Sequence, residues 1–268
     1  MTMKRRVPAQ QRPSGLPVPH HGRRNSTGAI VESLLREEIM VGTGFSSMKR
    51  ALDLVLSSVA VVVALPVVAA AMAVVRLTSR GPAIYTQERV GLAGRRFTIY
   101  KIRTMIHDCE SLTGPQWSVP GDPRVTSVGR VLRKLHIDEL PQLLNVFRGE
   151  MSLVGPRPER PVFVARLSRK IPLYPGRHSV PPGITGLAQL ALPPDIEEED
   201  VERKLTFDLH YARTSGAGLD AWILFCTAFK VVGVPRSLLR RLLPRVESGP
   251  DRPATLPFPA ARRRSKAA

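Results

Sequence analysis

Residues 54–75 read LVLSSVAVVVALPVVAAAMAVV, a run of 22 without a charge. As a helix it would reach roughly 33 Å, enough to cross a hydrocarbon core. It is apolar on every face, whereas a helix on the surface of a soluble domain keeps a polar one, so a membrane segment is expected. The run begins more than fifty residues in, where a secretory signal peptide is not expected. Pro66, near its middle, removes one backbone donor and crowds the preceding turn. That fits a kinked spanning helix and equally a re-entrant hairpin entering and leaving on one face. Lys49 and Arg50 flank one end, Arg76 and Arg80 the other. With basic residues at both ends no inside and outside are defined. The symmetry leans toward the hairpin, and the residues alone leave both forms open.

Outward from this run, charge is unevenly spread. The 268 residues carry 40 Lys+Arg against 22 Asp+Glu, a formal net charge of +18. Residues 1–50 hold nine basic and three acidic residues (+6), residues 235–268 nine and two (+7), leaving +5 for 51–234. Such a balance suggests a polyanionic partner: nucleic acid, an anionic membrane surface or phosphorylated substrates. Aromatics are only 5% and form no base-stacking pattern, so nucleic acid is not the expected partner. Two cysteines, Cys109 and Cys226, exclude a disulfide framework and a Cys-rich zinc module, and two reduced thiols are the plainer reading.

Residues 1–30, rich in Pro, Gly, Arg and Ser, read as disordered, and 30–40 as a short amphipathic helix. Short strands are expected over 83–86 and 96–102 around the turn Gly91-Leu-Ala-Gly94. Helices are expected over 126–135, over 140–147 with a stop at Gly149, and over 161–170. Residues 171–186, with four prolines and three glycines, read as a loop. The acidic residues 197–200 open a helix running to about Arg213, a solvated start with acids at the favourable end. Residues 222–232 are apolar, and 235–246 alternate Leu pairs with Arg240 and Arg241, a pattern suited to an anionic interface.

Asp138-Glu-Leu-Pro141 is the first candidate for chemistry. Pro141 belongs in a first helical turn, which puts Asp138 and Glu139 at a helix N-terminus. There the dipole and free N–H groups would hold both carboxylates ionised and help receive phosphate. Taken alone, the pair is also what ordinary capping looks like. Its company favours chemistry. Arg130, Arg133 and Lys134 precede it, and Arg157 follows between two prolines in Gly155-Pro-Arg-Pro158. The prolines restrict the backbone, so the guanidinium fork is presented to phosphate at little ordering cost. Lys101 and Arg103, two residues apart, add two cations on one strand face. Carboxylates beside phosphate-suited cations fit phosphoryl transfer with a divalent ion. There is no Gly-x4-Gly-Lys-Ser/Thr loop and no serine nucleophile elbow, and His107, His136, His178 and His210 lack metal-ligand spacing.

In order, these pieces resemble the bacterial sugar transferases known as monotopic phosphoglycosyl transferases. The resemblance runs from about Met48 to Phe229 and rests on ordered blocks. They are Lys49-Arg50-x-x-Asp53, Gln87-Glu-Arg-Val-Gly91, Phe97-Thr-Ile-Tyr-Lys-Ile-Arg-Thr-Met105 and Asp122-Pro-Arg-Val-Thr-Ser-Val-Gly-Arg130. Asp138-Glu-Leu-Pro-Gln142, the stretch from Asn145 through Gly155-Pro-Arg-Pro158, and Pro182-Gly-Ile-Thr-Gly-Leu-Ala-Gln189 complete them.

The resemblance implies an α+β fold, mainly helical with a small sheet. It implies a single cytoplasm-facing catalytic domain on the inner membrane, with one N-terminal re-entrant helix bent near Pro66. The implied enzyme moves a sugar-1-phosphate from a nucleotide (UDP) sugar to undecaprenyl phosphate, releasing UMP, and initiates exopolysaccharide, capsule or glycoconjugate synthesis. By carry-over Asp138 is the nucleophile that forms a phosphoglycosyl-aspartate, Glu139 helps hold Mg²⁺, and Arg157 contacts phosphate, with Lys101, Arg103 and Asp208 at further functional positions. Arg130 and Arg133 complete the expected phosphate-binding set. Departures are Leu65 where some members have Ser, Glu150 for the commoner Asp, and Ile102 where Phe is frequent. The expected organisation is a disordered basic extension (1–48), a re-entrant helix–turn–helix (49–80), the catalytic domain (81–234) and a basic amphipathic and disordered tail (235–268) that meets anionic lipid. Residues 1–48 hold no spanning helix, so the small single-anchor form is expected. The alternative from another class is a catalytically silent membrane adaptor that binds anionic lipid. Donor sugar and oligomeric state stay open.

Overall fold

The computed structural model describes residues 47–111, 114–193, 198–244 and 246. The disorder expected over 1–30 and in most of 247–268, the helix over 30–40, and Glu197 lie outside the described residues. Helix α1 (Ser47–Thr78) takes up the apolar run and continues through Pro66, so no turn divides residues 49–80 into two helices. It is the one helix among the described residues long and apolar enough to cross a membrane. Its middle is uncovered by protein: Val59, Val62, Val63 and Leu65 are 61–73% exposed. Both ends dock on the same body. Lys49, Asp53 and Ser57 are buried at the N-terminal end, and Ala71 and Val75 pack with Ala83, Ile102 and Leu132 at the other.

Strands β1 (Ile84–Val90) and β2 (Arg96–Ile102) form an antiparallel hairpin, register Ile84↔Ile102 to Val90↔Arg96. The expected turn joins them as a 3₁₀ segment, Leu92–Gly94, where Gly94 takes a positive φ of 77°. Ile102 enters the α1 cluster, while Ile99 packs with Val146 and Met151, so the hairpin is held from two sides. Helix α2 (Ser127–Lys134) is capped by Thr126, whose hydroxyl accepts from the Gly129 N–H.

The helix expected over 140–147 is two pieces. A 3₁₀ segment, Ile137–Gln142, contains Pro141, and helix α3 (Leu143–Arg148) follows, ended by Gly149 at φ 82°. Proline cannot supply the amide that would carry one helix through both. Strand β3 (Ser152–Val154), helix α4 (Pro161–Lys170) and strand β4 (Gly183–Thr185) make a parallel crossover, Ser152↔Gly183 and Val154↔Thr185. The 171–186 stretch is therefore not simply a loop: it holds a 3₁₀ segment, Tyr174–Ser179, as well as β4. A Cβ on Gly183 would lie 2.0 Å from the Gly155 nitrogen, so this close approach requires glycine.

Helices α5 (Leu187–Ala191), α6 (Glu198–Thr214), α7 (Ala217–Val231) and α8 (Arg236–Leu242) complete the body. Its largest core joins Val154, Leu187, Leu190, Tyr211, Ile223 and Cys226 with Leu239 and Leu243. One apolar face of the 235–246 segment is thus spent inside the protein, and Trp222 donates to the Leu242 carbonyl at 2.8 Å. Among the described residues the molecule is mainly helical, with the strands in two separate two-stranded sheets rather than the one small sheet expected. Both cysteines are free.

Candidate active site

Asp138 and Glu139 sit side by side in the 3₁₀ segment, entered through His136 at a positive φ of 56°. Asn145, fully buried in α3, ties this region to β2. Its amide donates to the Thr98 carbonyl and the Glu150 carboxylate, both at 2.7 Å, and accepts from the Tyr100 N–H. That cross-link sets Lys101, the next residue of β2, against the carboxylate pair.

The two carboxylates have opposite surroundings. Glu139 Oε1 accepts from Lys101 Nζ at 2.9 Å and from the Arg157 guanidinium at 2.5 Å. Burial alone would raise the Glu139 carboxyl, but Arg157 and then Lys101 outweigh it and hold it well below the usual range. Asp138 is buried, and among the described residues no hydrogen bond reaches its carboxylate. Burial, then the neighbouring Glu139 charge, push its carboxyl up. These neighbours, rather than the helix end expected to hold both carboxylates, set the two apart. The other half of the clamp responds in kind: Glu139 raises the Arg157 guanidinium, and burial lowers the Lys101 ammonium.

Arg157 is held from behind. The carbonyls of Pro156, Arg157, Pro158 and Glu159 accept from the Gly183 N–H (2.9 Å), Arg177 (2.8 Å), Arg89 (3.0 Å) and the Val90 N–H (2.9 Å). Arg177 is itself buried between the Tyr174 hydroxyl and Asp208, each at 2.8 Å. Burial opposes its charge, yet Asp208 and then Tyr174 raise the guanidinium. Asp208 therefore acts through Arg177 on the backbone that presents Arg157. Arg177 and Arg89 were not among the residues expected from the sequence. The signal that could have found Arg177 is a cation between prolines in 171–186, spaced to meet an acid on the following helix.

The remaining expected cations divide. Arg133 lies close enough to lower the Asp138 carboxyl electrostatically while bonding Thr104 and Ser118, both at 2.8 Å. Arg130 is exposed and bonds Ser127. Arg103, just past the end of β2, turns to the carbonyls of Ser79, Arg80 and Gly81 behind α1. Those carbonyls lie just past the end of α1, where no helical N–H reaches them, so they take the guanidinium. The structure brings Lys101, Asp138, Glu139, Arg157 and, at longer range, Arg133 together; it does not bring Arg103 or Arg130.

Comparison with known proteins gives the family. The sequence model of the bacterial sugar transferases matches residues 45–234. The chain belongs to the bacterial sugar transferase family. Over 183 residues it is 42% identical to the UDP-N-acetylgalactosamine-undecaprenyl-phosphate N-acetylgalactosaminephosphotransferase of Aeromonas hydrophila, covering 68% of this chain and 43% of that protein. It is 41% identical over 184 residues to the undecaprenyl-phosphate glucose phosphotransferase of Komagataeibacter xylinus, covering 67% and 35%. With the UDP-glucose:undecaprenyl-phosphate glucose-1-phosphate transferase of Caulobacter vibrioides it shares 42% identity over 181 residues, 67% of each chain. The chain thus spans less than half the length of the first two of these relatives.

Proposed function

We propose that this sugar transferase moves a sugar-1-phosphate from a UDP-sugar to undecaprenyl phosphate through a covalent aspartate intermediate. The observation that carries the proposal is the asymmetric pair. A desolvated carboxylate with raised proton affinity and free lone pairs lies beside one clamped by two cations. In the first step an Asp138 oxygen attacks the β-phosphorus of the nucleotide sugar, and the bond to the α-phosphate oxygen breaks to release UMP. In the second, an oxygen of undecaprenyl phosphate attacks the same phosphorus and Asp138 leaves, giving the lipid diphosphate sugar. Arg157, held against its own backbone supports, offsets phosphate charge in both steps, and Lys101 keeps Glu139 ionised.

Magnesium fits these residues as it commonly binds, through one or two carboxylates with substrate phosphates. Glu139, whose Oε1 is engaged by the cations, would help hold the ion through its other oxygen, and the ion would supply further neutralisation of the diphosphate. Three relatives whose names specify N-acetylgalactosamine or glucose share similar identity with this chain, which is why the donor sugar is left to experiment.

The membrane reading rests on α1. Between Ser57 and Ala71, where it leaves and rejoins the body, lies roughly 20 Å of helix, short of a hydrocarbon core of roughly 30 Å. With both ends on one domain, a helix that dips into the cytoplasmic leaflet and returns is favoured over one that spans it. Exposed Trp222, Phe225 and Phe229 on α7, the first two stacked and the last meeting Phe225 edge-on, and the basic chain ends would add contact with anionic lipid. Purified protein with Mg²⁺, undecaprenyl phosphate and a panel of UDP-sugars should release UMP with at least one donor. Release with none of them would overturn the proposal in favour of a silent lipid-binding adaptor. Cysteines placed at Ser47 and Thr78 should both label from the same side of oriented membranes.

A further inference from the structure

We propose that the polar first turns of α1 position Arg157: Lys49 and Asp53 grip β3, the strand that runs directly into Gly155-Pro-Arg157, so that seating the membrane helix also sets the guanidinium. Lys49, Asp53 and Ser57 recur every fourth residue on one face and are all buried, 8%, 4% and 0% exposed. Burying a lysine and an aspartate is costly unless each finds specific partners. Lys49 Nζ bonds the Asp220 carboxylate, and also the Tyr211 hydroxyl at 3.2 Å and the Val154 carbonyl at 3.3 Å. The Tyr211 hydroxyl lies 2.9 Å from that same carbonyl and 2.7 Å from Asp220. Asp53 Oδ1 accepts from the Leu153 N–H at 3.0 Å.

Simple docking does not require this. At its other end α1 docks on the same body through Ala71, Val75 and the Arg103 guanidinium on the carbonyls just past it, none of these contacts falling on the Arg157 segment. The N-terminal end instead places directional bonds on the backbone of two consecutive residues, Leu153 and Val154, immediately before the Arg157 segment. Arg50 adds a second grip, donating to the Val146 and Phe147 carbonyls at 2.6 and 2.7 Å. Those are the last turn of α3, the helix that continues from the dyad segment. One helix therefore holds both elements that deliver catalytic groups, and a sub-ångström shift of Arg157 against Glu139 is the kind of displacement that costs turnover.

The inference rests on the function proposed above, so its test reads placement and activity separately. Wild-type protein, Asp53→Ala, Asp53→Asn, Tyr211→Phe and Val75→Ala are compared in liposomes containing undecaprenyl phosphate. Expected for Asp53→Ala is membrane flotation like the wild type, amide exchange at Leu153, Gly155 and Arg157 faster by about 10-fold, and kcat lower by about 10-fold with KM for the UDP-sugar little changed. Asp53→Asn keeps an acceptor for the Leu153 N–H and should restore most of both. Tyr211→Phe, which keeps the ring and removes one donor to Val154, should show the same pattern more weakly and serves if Asp53→Ala does not accumulate. Val75→Ala, loosening the apolar end, should move neither. Unchanged exchange in Asp53→Ala and Tyr211→Phe, or equal losses in Val75→Ala, would overturn the inference. Exchange needs no substrate, so it decides the inference even if the wild type released no UMP, a result that would overturn the proposed function alone.

Discussion

Two segments meet at the site and are held in opposite ways. From Val154 to Glu159 the backbone is fastened by side chains and amides from five other elements, and its one functional group, Arg157, is already engaged with Glu139. Across from it, Asp138 is buried with no hydrogen bond to its carboxylate among the described residues. In the proposed reaction the fixed side would cost nothing to reorganise when charge develops on a phosphate, and the uncommitted side would keep lone pairs for bond formation. The contrast teaches that neighbouring acids can be divided in role by their partners rather than by their residue types.

The largest effect should come from the uncommitted side. Asp138→Asn keeps the shape and removes the proposed nucleophile, and turnover measured as UMP release should fall by about 10³-fold or more. Arg157→Ala tests the fixed side, where loss of one preorganised charge should lower kcat by about 10²-fold. Asp208→Asn should cost about 10-fold, because it loosens Arg177 and only through it the Arg157 carbonyl. If Asp208→Asn proved as severe as Arg157→Ala, Asp208 would touch substrate itself and the division between the sides would be wrong.

A third carboxylate sharpens the contrast from the structural end. Asp122 accepts from the Arg124 side chain and backbone N–H and from Ser118, and those bonds, the Arg124 side chain first, hold its carboxyl well below the usual range. Asp122→Asn should leave kcat nearly intact and lower stability by about 1–3 kcal/mol at pH 7. A depressed carboxyl stabilises fully above the unfolded value, about 3.9, and loses that contribution as pH falls toward the folded one. The gap in Tm between wild type and Asp122→Asn should therefore narrow progressively below about pH 4.

Local pattern carried the parts of this molecule that local physics determines. Length and apolarity revealed α1, a proline-bracketed arginine revealed Arg157, and Thr126 and Gly149 marked helix ends. What it did not carry depends on distance along the chain. Arg103 and Lys101 look alike in sequence, yet one turns to the end of α1 and the other to Glu139, and contacts more than twenty residues away decide which. Three-residue strands such as β4 are too short for alternation to register. Arg177 lay in a stretch whose prolines read as featureless, although they fix the turn that aims it at Asp208. The Asp138–Glu139 pair was visible as chemistry, but its inequality is set by Lys101 and Arg157 arriving from other elements.

The most direct measurement is a single turnover without acceptor. Wild-type protein is mixed with Mg²⁺ and its UDP-sugar, and then digested and analysed by mass spectrometry. The account predicts a burst of up to one UMP per enzyme and a sugar-phosphate mass on the peptide containing Asp138, discharged when undecaprenyl phosphate is added. UMP released only when acceptor is present, or an adduct on any other residue, would contradict it.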